Sequence, residues 1–187
     1  MANTDSPYGF TPVRHLTGGT LRMSEYKIAD GYATSIFNGD VVTMANTGYI
    51  NVGTTSTPFI GVFAGCSYTT AAGEKVFSKH WPASTDTNGD AIAYVHDDPM
   101  TVFAVQHDGN GAFADNGAGF DLTATAGSTT NGRSKQELST SSKADVGQFK
   151  QLGLLERSNN AWSASSVVEV VITQHQNTPG PAYQAES

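Results

Sequence analysis

Nowhere does the chain hold an i, i+3/i+4 apolar stripe through four turns of helix; its apolar residues come in short alternating or continuous runs separated by turn signals. Leu21, Met23, Tyr26 and Ile28 alternate, with one irregularity at Glu25, and predict a strand. Val41–Met44 and Tyr49–Val52 flank Asn46-Thr47-Gly48 and predict a hairpin. Phe59–Tyr68 reads as a long strand, Ala71–Gly73 as a turn, and Glu74–Trp81 as the return, ended by Pro82. Gly61 and Gly65 inside the long strand predict a bulge or a close backbone approach.

The second half repeats the design. Ala91–His96 and Thr101–His107, rich in β-branched and aromatic residues, predict a third hairpin turning at Asp97-Asp98-Pro99. Phe120–Thr125 and Ser134–Leu138 are shorter candidates, and Gln136–Val146 alternatively predicts one short helix. Phe149–Arg157 and Val167–Gln174 form a last pair turning at Asn159-Asn160. About nine or ten strands at spacings of roughly 8 to 12 residues predict an all-β domain, a barrel or a sandwich.

Both ends differ from this body. Residues 1–20, with Pro7, Pro12, Gly9, Gly18 and Gly19, predict an extended N-terminal arm, and residues 176–187 a second Pro/Gly tail, around a body at 21–175. Tyr8, Phe10, Val13 and Leu16 lie in the arm, where no local core is expected to bury them, and aromatics on such a segment need a partner. Arg14 can fork onto a carboxylate and His15 stands beside it. These six residues are the candidate partner contacts.

The chain is 187 residues long and only 14% charged, which suits a turn-rich β protein or one that hides surface in an assembly. A net charge of −7, with ten scattered Lys and Arg, argues against nucleic-acid binding. No apolar run approaches the ~18 residues of a membrane span, and no basic-then-apolar leader opens the chain; a soluble protein made in a cytoplasm is expected. Cys66 is the single cysteine, so no intrachain disulfide is possible, and "GVFAGCSY" places it as a small residue in a strand.

Candidate chemistry is sparse. His96 and His107 precede acids, but a symmetric hairpin puts them roughly 25 to 35 Å apart at ~3.3 Å per residue, too far for one metal. "DTNGD" at Asp86–Asp90 resembles the start of a calcium loop, yet Val95 stands where the EF-hand glutamate belongs, so a surface turn is favoured over a loose Ca²⁺ site. The sequence holds no nucleophile elbow, Walker loop or zincin motif. No enzyme activity, cofactor or metal is expected.

"YGFTPVRHLTGGTLRMSEYKIADGYATSIFNGDVV", then "IGVFAGCSY", "FSKHWP" and "AYVHDDPMTVFAVQ", together resemble a family of tailed-phage structural proteins frequent in marine and cyanobacterial phages, the small capsid decoration or cement proteins. The likeness spans about residues 7–175 and is clearest before residue 107. It implies a β-rich virion protein on the outer surface of an icosahedral head, assembled in the host cytoplasm. It also implies contact with the major capsid protein and self-association as a homotrimer or homodimer at symmetry axes. It supplies no catalytic residues, and it leaves 109–144 as a variable outward loop. Two alternatives stand beside it: another virion part (minor capsid protein, head-fibre base or tail protein), or a carbohydrate-binding β module that would group Trp81 and Trp162 in one exposed pocket.

Overall fold

The computed structural model describes residues 3–85 and 88–178. The regular structure is nearly all β: β1 (Thr11–His15), β2 (Ser24–Lys27), β3 (Ile36–Phe37), β4 (Val41–Met44), β5 (Ile50–Val52), β6 (Gly61–Thr69) and β7 (Lys75–Ser78). They are followed by β8 (His80–Trp81), β9 (Ile92–His96), β10 (Thr101–Gln106), β11 (Gly119–Thr123), β12 (Glu137–Ala144), β13 (Phe149–Leu154) and β14 (Val167–Ile172). Among the described residues one 3₁₀ turn, Phe113–Asp115, interrupts them.

Two open six-stranded antiparallel sheets organise the strands. The first has the order β1-β10-β14-β13-β11-β12; the second runs β2-β9-β6-β4-β5 with β7 also on β6, and β3 pairs with β8 apart from both. A parallel bridge between His107 and Leu138 brings β12 back toward the end of β10 without closing the first sheet. The all-β class is therefore as expected, while the strands are more numerous and the sheets form no closed barrel.

The apolar doublets explain the layering. Val41, Phe59 and Val62 join Phe103, Phe120, Phe149 and Val170 of the first sheet in one core. Their sequence neighbours Val42, Ile60 and Phe63 face the other way, into a second core with Ile28, Ile50 and Trp81. Successive strand side chains point to opposite faces, so the doublets mean that the second sheet is buried on both sides at β4 and the start of β6. By contrast β9 alternates, with Ala93 and Val95 buried and their neighbours half-exposed.

Several sequence expectations hold. The β4–β5 and β13–β14 hairpins form. The ladder between β6 and β9 shifts register between Phe63 and Gly65, and a Cβ at Gly61 would lie 2.2 Å from the His96 carbonyl oxygen, so the long strand has both the bulge and the close approach.

Other expectations are corrected. Residues 91–107 make no hairpin: β9 pairs with β2 and β6, whereas β10 pairs with β1 and β14 in the other sheet. The intervening corner is pinned to an edge strand of each sheet. Ser24 and Tyr26 donate to the Asp97 carboxylate at 2.9 and 2.8 Å, and His15 bonds Asp98 at 3.2 Å. The helix over 136–146 is replaced by β12, where the run of Ser and Thr favours extended backbone. Nor is 109–144 an outward loop, because Phe120, Leu122 and Leu138 are core residues.

The N-terminal arm is the largest correction. Phe10 is 1% exposed and stacks on Phe149 with ring centroids 4.7 Å apart. Gly9 makes this insertion possible: its φ is +75°, and a Cβ there would lie 2.4 Å from the Ser134 Cβ. Only glycine takes that backbone and that proximity together. Upstream, Gln106 accepts from the Ser6 N–H and donates to the Thr4 carbonyl, and the Asn3 amide donates to Ala161 and Ala164. The described part of the tail is also tied down, with Gln176 bonded to the Met44 backbone through both ends of its amide; residues 179–187 lie outside the described residues.

Phe10→Ala deletes a ring from a fully buried stack and is expected to cost about 3–5 kcal/mol of unfolding free energy. Val13→Ala, on the same segment but exposed, is expected to change it by less than ~0.5 kcal/mol. Urea titrations of the two variants measure the contrast, and equal small losses would show that the segment is not packed as described.

Candidate interaction surface

The six candidate contact residues separate into buried and exposed sets. Phe10 belongs to the core, and Tyr8 is half-buried beside it. Burial raises the Tyr8 phenol pKa, against the opposing charges of Arg157 and Arg133. Arg14 forks onto one oxygen of Glu169, at 2.6 and 3.1 Å, so its charge is already answered within the chain. Val13 and Leu16 remain 37% and 42% exposed.

His15 organises the exit from β1. Its Nδ1 accepts the Thr17 and Gly19 N–H groups at 3.2 and 3.1 Å. Two donors on Nδ1 leave the proton on Nε2, which therefore donates to Asp98. One imidazole thus joins the turn after β1 to the β9–β10 corner.

Exposed apolar side chains stand near that corner beside the charged Arg22 and Asp98. Leu16 donates its N–H to the Met100 carbonyl, Arg22 lies 4.0 Å from Asp98, and Ser24, next to Met23, pairs with Val95. Met23 and Met100 are 55% and 44% exposed. Val13 on β1, Leu16 and Met23 on the segment that follows it, and Met100 at the β9–β10 corner are thus exposed apolar side chains, and Leu16 and Met100 meet although they are far apart in the sequence. Pro12 and a register shift between Pro12 and Arg14 interrupt the ladder of β1 with β10. Proline and a bulge on an edge strand oppose the addition of another strand, so a contact made here would use side chains rather than the backbone ladder.

The remaining chemical candidates are committed elsewhere. Trp81 is fully buried and donates to the Tyr32 carbonyl, so it cannot share an exposed sugar platform with Trp162, which packs on the first core and meets Phe113 edge-on. Cys66 is buried in β6, and burial pushes its thiol up to about 12. Asp90 accepts from the Thr69 N–H and hydroxyl and from Lys75, while Asp86 and Thr87 of the same loop lie outside the described residues. Among the described residues no group of three or more His, Cys, Asp and Glu side chains is placed to hold a metal ion. His107 and Ser166 approach to 3.0 Å, but both are sealed from solvent, so no substrate reaches the pair.

Buried ionisable groups set opposing pH responses. Burial lowers the pKa of His96, His107 and His175. Their folded values lie below the unfolded one, so their share of stability is lost as pH falls through the histidine range. Asp40, beside a cleft of about 330 Å³ that also touches Phe37 and Gln136, is raised by burial from 3.8 to about 6 despite hydrogen bonds from Ser134 and the Phe37 N–H. Its share is present below the unfolded value and lost as pH rises through the folded one. Asp40→Asn should therefore become more stable relative to the parent as pH rises from 4 to 7, by on the order of 3 kcal/mol. Denaturant midpoints across that range test it, and a pH-independent difference would refute it.

Comparison with protein-family models, with curated proteins and with solved structures found no match.

Proposed function

We propose that this chain is a virion structural protein that decorates the outer surface of a tailed-phage head and stabilises contacts between major capsid protein subunits. The observation that carries the proposal in the structure is the exposed apolar surface of Val13, Leu16, Met23 and Met100 on a corner held rigid by Asp97 and Asp98. It coincides with the part of the chain whose sequence most resembles the decoration family. The body is read as a sandwich, because residues of both six-stranded sheets share one core.

The mechanism is mass action. A protein that binds only the expanded lattice stabilises that lattice by RT ln(1 + L/Kd) for each site, where L is its free concentration. The six candidate partner contacts are narrowed accordingly: Phe10, Arg14 and His15 serve the body, with Tyr8 half-buried beside them, while Val13 and Leu16 are exposed. Homotrimers or homodimers at symmetry axes would place several such corners against neighbouring capsid subunits.

Expanded heads assembled without this protein provide the test. Saturable binding at the copy number of the lattice is expected for the parent chain. Leu16→Asp with Met100→Asp removes two apolar anchors and is expected to weaken binding about 100-fold while leaving the fold intact by circular dichroism. Saturation at only a few copies per head would identify a minor virion component, and no binding at micromolar concentration would sink the proposal.

A further inference from the structure

A polar cleft of about 340 Å³ opens where the N-terminal segment meets the loop between β13 and β14. Gln106, 3% exposed, forms its floor. The Gln106 side chain accepts from the Ser6 N–H at 3.0 Å and donates to the Thr4 and Ser165 carbonyls at 2.8 and 2.9 Å. A second tie runs from the Asn3 side chain to the Ala161 and Ala164 carbonyls. The two walls are therefore fixed against each other before any ligand arrives. Ser165 is held at φ +56° between Gly109 and Gln106, a left-handed backbone that serine rarely takes. Strain of this kind persists where surrounding bonds impose it, and it gathers at binding sites.

The lining carries one charge. Arg157 supplies it, and no carboxylate lines the cleft. Asp5 stands between the lining residues Thr4 and Ser6 but is not part of the wall, and its charge bears on Glu137. Arg14, Lys75 and Lys143 each pair with a carboxylate, whereas the exposed Arg157 enters no ion pair among the described residues. Its charge reaches the Tyr8 phenol, which shares the lining. Among the described residues the Tyr8 phenol, the Asn159 amide and the Thr4, Ser6, Ser158 and Ser165 hydroxyls make no hydrogen bond within the chain.

Such a surface suits one ligand chemistry. A guanidinium forks onto a carboxylate, and a single cation matches one negative charge. Hydroxyls and an amide both donate and accept, which matches a ligand dense in hydroxyl groups. Tyr8 aside, no apolar side chain lines the cleft to reward a fatty or aromatic acid. Its volume is at the small end for ligand sites and admits one sugar ring rather than a long chain. We infer that this cleft binds a polyhydroxylated carboxylate of the hexuronate type, with Arg157 on the carboxylate and the free hydroxyl and amide groups on the sugar. The site is separate from the buried Trp81 and from the apolar residues of the head-binding proposal, and it stands or falls independently of that proposal.

The full chain is titrated with sodium glucuronate, with glucose and with acetate at one ionic strength while its backbone amide resonances are followed. Saturating shifts of the 157–159 amides are expected for glucuronate, with a Kd of roughly millimolar order. Arg157→Met, at an exposed position, is expected to weaken that binding about 10-fold or more. Lys27→Met removes an exposed cation on β2, outside the cleft, and is expected to leave it unchanged. Absence of saturation by glucuronate would overturn the inference, as would an equal loss in the two variants. Acetate binding as tightly as glucuronate would overturn the sugar, and glucose binding as tightly would overturn the carboxylate.

Discussion

Three stacked phenylalanines hold the molecule together. Phe149 on β13 stacks with Phe10, 4.7 Å away and 20° from parallel, and with Phe59, 5.3 Å away and 24° from parallel. Phe149 belongs to the first sheet, Phe59 leads into the second, and Phe10 enters from the N-terminal segment. Each ring contributes a large apolar area, so one column of contacts joins both sheets to the segment that precedes them. The geometry of Gly9 and the bond from the Phe10 N–H to Gly39 follow from the need to deliver that first ring.

The second constraint is polar and sits at the β9–β10 corner. Asp97 is bound by β2 and Asp98 by β1, one edge strand from each sheet. A buried carboxylate is tolerated only when its hydrogen bonds are satisfied, and Asp97 meets that condition through Ser24 and Tyr26. The corner therefore splits two strands that look like a hairpin between different sheets. It also brings Leu16 beside Met100, two exposed apolar side chains on which the head-binding proposal draws.

The stability of the chain is consequently concentrated in long-range contacts rather than local ones. The N-terminal segment is bonded to Gln106, to the loop around Ala161 and to Glu169, all far along the chain.

Local signals were legible. Asn46-Thr47-Gly48 and Asn159-Asn160 marked real hairpin turns, and Gly61 and Gly65 marked a strand where backbone approaches too closely for a side chain. Strand positions were readable because alternation and β-branching are properties of a few adjacent residues. The candidate site was only partly legible: Val13 and Leu16 are exposed as expected, but nothing near Phe10 in the chain announces Phe149, and nothing near Leu16 announces Met100. What the sequence by itself determined is the all-β class and most strand positions, through periodicity and turn chemistry that act over a few residues. Which strands share a sheet, whether an aromatic is buried and which apolar side chains form one surface were decided by the tertiary structure alone. Those outcomes depend on packing between segments a hundred residues apart, as with Ser6 and Gln106, and no local pattern encodes them.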